Sequence, residues 1–216
     1  MNWLIYCNNS PLVFVDPTGL DVRLLTDTAS VGTFGHTAVM VAVYDEEGAI
    51  VGYNIYEVGP KRKLVNDYID DFQGEGTDQE VLSVSQYIVY VAVVREYYPA
   101  NSDELARRIA RYNLVTKFNT TQSEDAAIDQ HAIETGKKFG NYDILTNTCA
   151  DHAVGSLAPA NINTSRRAIY PWQAHLQLME ENPERVLEHF YFSKTTTPKG
   201  GNVVGNNPLN QAALIN

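Results

Sequence analysis

The run His36-Thr37-Ala38-Val39-Met40-Val41-Ala42-Val43-Tyr44 constrains this sequence more than any other segment. A strand with one wet face alternates apolar and polar side chains, whereas Ala38 to Val43 are apolar without a break. The run therefore predicts a strand buried on both faces, and so a sheet covered on both sides. Asp45-Glu46-Glu47-Gly48 follows as a turn signal and Ile50 to Val58 as the returning strand, so the two read as a hairpin. Val22 to Thr26 reads as an earlier strand and Gln86 to Val94 as a third core strand.

Helical patterns fill much of the remainder. Ser102 before Asp103 and Glu104 is a helix start, and Leu105, Ile109, Tyr112 and Val115 keep helical spacing through about Phe118. A second helix is expected from Ser123 to Phe139, closed by Gly140. A third begins near Asn147 or Thr148 and runs through Leu157, ahead of Pro159. Tyr170 to Asn182 reads as a fourth, and Val186 to Phe192 returns to the sheet. The expected class is α+β, with an antiparallel sheet packed against helices. The tail from Thr195, rich in Gly, Asn and Pro, reads as flexible.

At 44% hydrophobic and 19% charged residues, the chain has apolar mass for one ordinary core. Sixteen Lys and Arg against 26 Asp and Glu leave a net charge of -10, which repels phosphate backbones and argues against nucleic acid as a partner. That charge leaves a membrane substrate open, because docking can proceed through a local patch. The longest apolar run, Ile88 to Val94, falls well short of the roughly 18 residues a spanning helix needs, so the chain reads as soluble. Met1 to Phe14 lacks the basic lead and small-residue cleavage site of a Sec signal.

Chemistry concentrates at Cys149. A thiol attacks acyl carbons as thiolate, a form favoured at a helix N-terminus beside an imidazole. The segment Asn147-Thr148-Cys149-Ala150-Asp151-His152 follows a strand-like approach, Tyr142 to Leu145, and opens an apolar-periodic helix. Unpaired backbone N–H groups in that first turn can also hold an oxyanion. His36, behind Gly35 at the start of the hydrophobic strand, is the candidate base, since a polar residue there is costly unless used. Glu57, on the adjoining strand, is the candidate orienter of the imidazole, with Asn54 in reserve. Asn147, Thr148 and Tyr142 are the candidate oxyanion or substrate contacts.

Blander readings stand beside these. A lone Cys opening a helix is commonly a small buried hydrophobe, and Glu57 alone would be a surface carboxylate. His152 competes as base, although one helical turn points it along the helix face instead of across the thiol. His131, His175 and His189 show no partner pattern. A disulfide between Cys7 and Cys149 remains open at this level. The sequence carries no zinc-ligand spacing, phosphate loop or Gly-x-Ser-x-Gly elbow, so neither metal nor cofactor is expected.

Two resemblances add to this reading. Asn8, Asn9, Pro11, Leu12, Phe14, Asp16, Pro17, Gly19 and Leu20 resemble the end of the Rhs repeat-associated core, with Ser10 as a departure. That resemblance covers about the first 20 residues and implies a junction between a shell and a variable C-terminal toxin, cut after the Gly19-Leu20 pair. It divides the chain into a core end at 1–20, a toxin domain at 21–194 and a tail at 195–216. It also implies a cognate immunity protein, the Rhs shell and type VI-like secretion machinery as partners, and delivery into a target bacterial cell.

Separately, Gly35-His36-Thr37-Ala38-Val39-Met40-Val41, Tyr56-Glu57-Val58-Gly59-Pro60 and Tyr142 to His152 resemble the circularly permuted papain-like branch. That branch includes the lecithin:retinol acyltransferase family and related bacterial NlpC-type hydrolases, and in it the catalytic His precedes the Cys. Thr148 stands where the branch often has Asn, which leaves the oxyanion donor open. The resemblance implies a thioester mechanism with membrane phospholipid acyl esters as the lead substrate. Peptidoglycan amide bonds, deamidation or proteolysis of a target protein, and a non-catalytic binding role are the alternatives.

Overall fold

The computed structural model describes residues 21–28, 35–61, 78–86, 90–143, 146–166, 168 and 170–191. The expected Rhs-like segment with Gly19 and Leu20, Cys7, and the tail lie outside them. Among the described residues the strands are β1 (Val22–Asp27), β2 (His36–Tyr44), β3 (Ile50–Lys61), β4 (Asp78–Gln86), β5 (Tyr90–Pro99), β6 (Leu114–Phe118) and β7 (Val186–Tyr191). The helices are α1 (Asp103–Ile109), α2 (Gln122–Lys137), α3 (Cys149–Ser156) and α4 (Pro171–Glu181). The strands form one sheet in the order β4-β5-β3-β2-β1-β6-β7, and every pairing is antiparallel.

Strand β2 sits at the centre of this order, as its unbroken apolar run requires, and Thr37 to Ala42 are buried throughout. Its alternate side chains feed two cores. Val39 and Val41 pack with Val22, Leu24, Tyr56, Ile128 of α2, Ala153 of α3 and Leu178 of α4. Ala38, Met40 and Ala42 point the other way, to Leu25, Ile55, Tyr98, and Leu105 and Ile109 of α1. The sheet is thus a middle layer, with α2, α3 and α4 on one face and α1 with Tyr112 on the other. No described helix is long and apolar enough to cross a membrane.

Two expectations need correction. The helix from Ser102 stops at Ile109, and Leu114–Phe118 is strand β6, fully buried and paired with β1 from Val22↔Phe118 to Thr26↔Leu114. Helical spacing of Tyr112 and Val115 is coincidental there, because tertiary pairing with β1 outweighs a local period. Gln86 to Val94 is not one strand either: β4 ends at Gln86 and β5 runs from Tyr90 to Pro99, fixed by pairing with β3 over Gly52↔Pro99 to Lys61↔Tyr90. The edge strand β4 escaped notice because its polar composition and exposed Val81 and Val84 give no buried face to detect.

On the approach to Cys149, Asp143 makes a single antiparallel bridge with Asn147, with Asn147 N–H to Asp143 O at 2.8 Å and Asp143 N–H to Asn147 O at 3.1 Å. Ile144 and Leu145 are outside the described residues. The remaining helices fall where the periodicity places them, with α2 capped by a Thr121–Glu124 capping box and ended by Lys138 instead of Gly140.

Candidate functional site

Cys149 is the first residue of α3, and Thr148 is its N-cap. The Thr148 hydroxyl accepts from Asp151 N–H at 3.2 Å, and the Asp151 carboxylate accepts from Thr148 N–H at 2.8 Å, which completes a capping box. This box satisfies the Asp151 donor, while the N–H groups of Cys149 and Ala150 have no acceptor within the helix. The thiol is free and buried, packed with Val58, Val91 and Val93 beside Phe139 and Tyr142. Among the described residues Cys149 has no disulfide partner, and Cys7 lies outside them.

His36 opens β2 directly after Gly35, whose φ of +86° belongs to the left-handed region that glycine tolerates best. A Cβ on Gly35 would stand 3.0 Å from the Asp27 carbonyl oxygen, so strain and crowding both favour glycine. At this strand end the imidazole reaches past the sheet. Its Nε2 lies 3.0 Å from Glu57 Oε2, and its ring lies beside Cys149. An ionised carboxylate only accepts, so Nε2 donates to Glu57 and Nδ1 is the nitrogen left for the thiol. Burial alone would push the imidazole down, but Cys149 and Glu57, through their contacts and charges, lift it to about 10.

Glu57 is held from the opposite layer. Tyr112 OH donates to Oε2 at 3.2 Å, and Arg108 Nη2 stands 2.7 Å from Oε1. Burial would raise this carboxyl, yet Arg108 and His36 keep it well below the ordinary carboxylate range. The Tyr112 ring stacks on the imidazole at 6.3 Å between centroids, with 25° between planes. Arg108 also lies 3.1 Å from Glu96 Oε2, the same oxygen that accepts Tyr98 OH at 2.8 Å.

The structure therefore brings His36, Glu57 and Cys149 together across a long stretch of chain. Tyr142 is beside the thiol, its hydroxyl pushed up to about 12 by burial and the neighbouring Cys149 and Asp151. Thr148 and Asn147 are turned to local structure: the Thr148 hydroxyl serves the cap, and the Asn147 amide donates to Asn141 O at 3.0 Å. Asn54, the reserve orienter, donates to Asp129 at 2.8 Å instead. His152 turns toward α2, edge-on to Phe139 at 6.0 Å, and burial holds it at about 4 and neutral. Tyr98 is fully buried, whereas Trp172 is exposed and stacked on Tyr170.

Sequence reasoning missed Arg108, Tyr112, Glu96 and Tyr98. A signal for Arg108 exists: it falls three residues after Leu105 and one before Ile109, on the apolar face of α1, where a guanidinium is costly without a buried partner. Beside the first turn of α3, a cavity of about 380 Å³ opens along Ala150, Asp151 and Val154, facing Asn163 and Arg166, with Ala174 of α4 at its wall. Among the described residues no group of three His, Cys, Asp or Glu side chains is arranged to hold a metal ion. No family model, curated protein or solved structure matches the chain.

Proposed function

We propose that this chain is a cysteine-dependent hydrolase or acyl-transfer enzyme, with Cys149 as nucleophile, His36 as general base and Glu57 as the group that orients His36. The observation that carries this reading is that one imidazole bonds a buried carboxylate at 3.0 Å and lies near enough to a helix-opening cysteine for the thiol to perturb its charge. A histidine kept only for packing has no need of both.

In the proposed reaction Cys149 Sγ, its proton passed to His36 Nδ1, attacks an acyl carbonyl carbon. The N–H groups of Cys149 and Ala150 face the developing oxyanion. The imidazolium returns the proton to the leaving oxygen or nitrogen as the acyl bond breaks, leaving a thioester. Water, deprotonated by His36, then attacks the thioester; the acid leaves and the thiol is restored. The cavity that Ala150 lines, one residue after the nucleophile, offers space for part of a substrate.

The order His36 before Cys149, on a strand and a helix start, agrees with a permuted papain-like arrangement. On that basis we assign membrane phospholipid acyl esters as the lead substrate. The Rhs-like segment supports a further reading of the chain as an effector toxin cut after Leu20, delivered into a bacterial cell and neutralised by an immunity protein.

The test is expression of the chain, both from Met1 and from Asp21, in the cytoplasm or periplasm of bacteria, with Cys149→Ala and His36→Ala alongside and extracted lipids examined by mass spectrometry. Growth arrest with lysophospholipid and free fatty acid, seen only with the unsubstituted chain, is expected. Arrest lost in both variants with unchanged lipids moves the substrate to peptidoglycan or protein. Arrest retained by both folded variants overturns the catalytic reading.

A further inference from the structure

Arg108 is 5% exposed, and its guanidinium reaches the catalytic cluster from the layer opposite α3. It touches two carboxylates that lie on neighbouring strands: Glu57 on β3 at 2.7 Å and Glu96 on β5 at 3.1 Å. Its Nη2 meets them obliquely, without the alignment of a hydrogen bond, so these contacts act chiefly through charge. Both carboxylates also accept a tyrosine hydroxyl, Tyr112 on Glu57 and Tyr98 on Glu96.

One buried cation between two carboxylates leaves one negative charge uncompensated. Among the described residues, the cation in contact with Glu57 Oε2 is protonated His36, 3.0 Å away. We propose that Arg108 and Glu96 are positioning residues for the reaction described above: Arg108 turns Glu57 toward His36, and Glu96 cancels the guanidinium, so that the cluster presents one net negative charge to the imidazole. Without Glu96, Arg108 would neutralise Glu57 and the imidazolium would face a neutral group. Without Arg108, the Glu57 carboxylate would be held by Tyr112 alone on its far side.

The groups facing these residues agree with that assignment. His36 meets Cys149 from α3, Glu57 from β3 and the Tyr112 ring. Glu96 meets Arg108, Tyr98, Gln79 Nε2 at 3.3 Å and the charge of Arg111. Burial and the Glu57 charge push the Glu96 carboxyl upward, while Arg108 pulls it toward the ionised form. Arg108 also lies over the Tyr112 ring, with 5.8 Å to its centroid, which ties the guanidinium to the ring stacked on His36.

This inference rests on the Cys149–His36–Glu57 reading, and the two can fail separately. The experiment is a histidine-labelled NMR titration of the full chain carrying Cys7→Ser, with His36 assigned by its loss in His36→Ala. Alkylation of Cys149 by iodoacetamide is measured in parallel. In the parent chain His36 stays protonated through neutral pH, and Cys149→Ala lowers its titration. Glu96→Gln is expected to lower it by about one unit or more. The double variant Arg108→Met with Glu96→Gln restores the net charge, so His36 titrates near the parent value while alkylation slows about tenfold because Glu57 is less well aimed.

Unchanged titration in a folded Glu96→Gln overturns the proposal. If that variant does not fold, the double variant decides: an unchanged alkylation rate overturns it. Thr116→Val, a buried polar substitution remote from this cluster, is expected to change neither readout; parallel changes there would assign the effects to general loosening and also overturn it. A parent His36 titrating near an ordinary histidine, insensitive to Cys149→Ala, instead removes the thiol–imidazole pair itself.

Discussion

His36 and Thr37 are adjacent residues of β2 whose side chains leave opposite faces of the sheet, and they begin two buried polar clusters of different character. His36 meets a thiol and a carboxylate and is lifted to about 10. Thr37 hydroxyl pairs with Thr26 at 2.9 Å, Thr26 with His175 Nδ1 at 2.8 Å, and His175 Nε2 with Thr116 at 2.6 Å, where His189 Nδ1 also arrives at 2.7 Å. Because Thr116 donates to Met179 Sδ at 3.1 Å, both imidazoles donate to Thr116, and Thr26 donates to His175. His175 is thereby satisfied at both nitrogens as a neutral ring, whereas His189 Nε2 is buried with no hydrogen-bond partner among the described residues.

Burial pushes His175 well below the ordinary histidine value, and the neighbouring His189 adds to this. The imidazoles of His36 on β2 and of His175 on α4, which packs against the same sheet, are thus shifted in opposite directions. The partner decides: a carboxylate draws a proton to His36, whereas hydroxyls carry no charge to offset the cost of burying an imidazolium. A buried histidine is therefore a functional candidate by what it touches, not by its burial.

Breaking the charged side of this comparison should have the largest effect. Glu57→Ala leaves Arg108 with one carboxylate and His36 with none; we expect a loss of about 3–5 kcal/mol in urea unfolding, with activity per folded molecule down about 10³-fold or more. On the neutral side, His175→Phe leaves the Thr26 and Thr116 hydroxyls short of a partner and should cost about 2–4 kcal/mol. Activity per folded molecule should stay at the parent level, and a fall matching that of Glu57→Ala would erase the distinction drawn here.

A pH series sharpens the same contrast. His152, neutral at about 4 in the fold, ionises more readily in the unfolded chain. Stability from its burial is therefore lost as pH falls from about 6.5 toward 4, by roughly 3 kcal/mol, and His152→Phe should flatten that acid slope in thermal unfolding. His36 works in the opposite sense: its raised value gives stability that is complete below about 6.5 and lost as pH rises through about 10. Glu57, held low, contributes above the ordinary carboxylate range and loses that contribution only in stronger acid. The smallest effect belongs to Asn147→Ala, whose amide makes a local hydrogen bond to Asn141; a change within about 1 kcal/mol is expected. A large loss of activity without loss of stability would instead assign Asn147 to the oxyanion.

The helix starts were legible because their signals are local. Ser102, Thr121 and Thr148 each cap a helix with a side-chain oxygen, and Pro171 opens α4 where proline costs no hydrogen bond. Strand β6 was misread because its five residues carry a helical echo of α1, and only pairing with β1 separates the two. Arg108 and Glu96 were missed for a related reason. Their meaning lies in a charge balance among β3, β5 and α1, and no spacing along the chain encodes that.

By itself the sequence determined the doubly buried central strand, the hairpin after it, the helix that Cys149 opens and the pairing of candidates His36 and Glu57 on adjoining strands. These follow from side-chain period, capping chemistry and turn residues, which act over a few positions. Tertiary structure decided the strand order, the reach of His36 to Cys149, and the Arg108–Glu96 support behind Glu57. Those depend on which faces meet across the sheet, and on the cost of leaving a buried charge alone, a cost fixed only once the layers have closed.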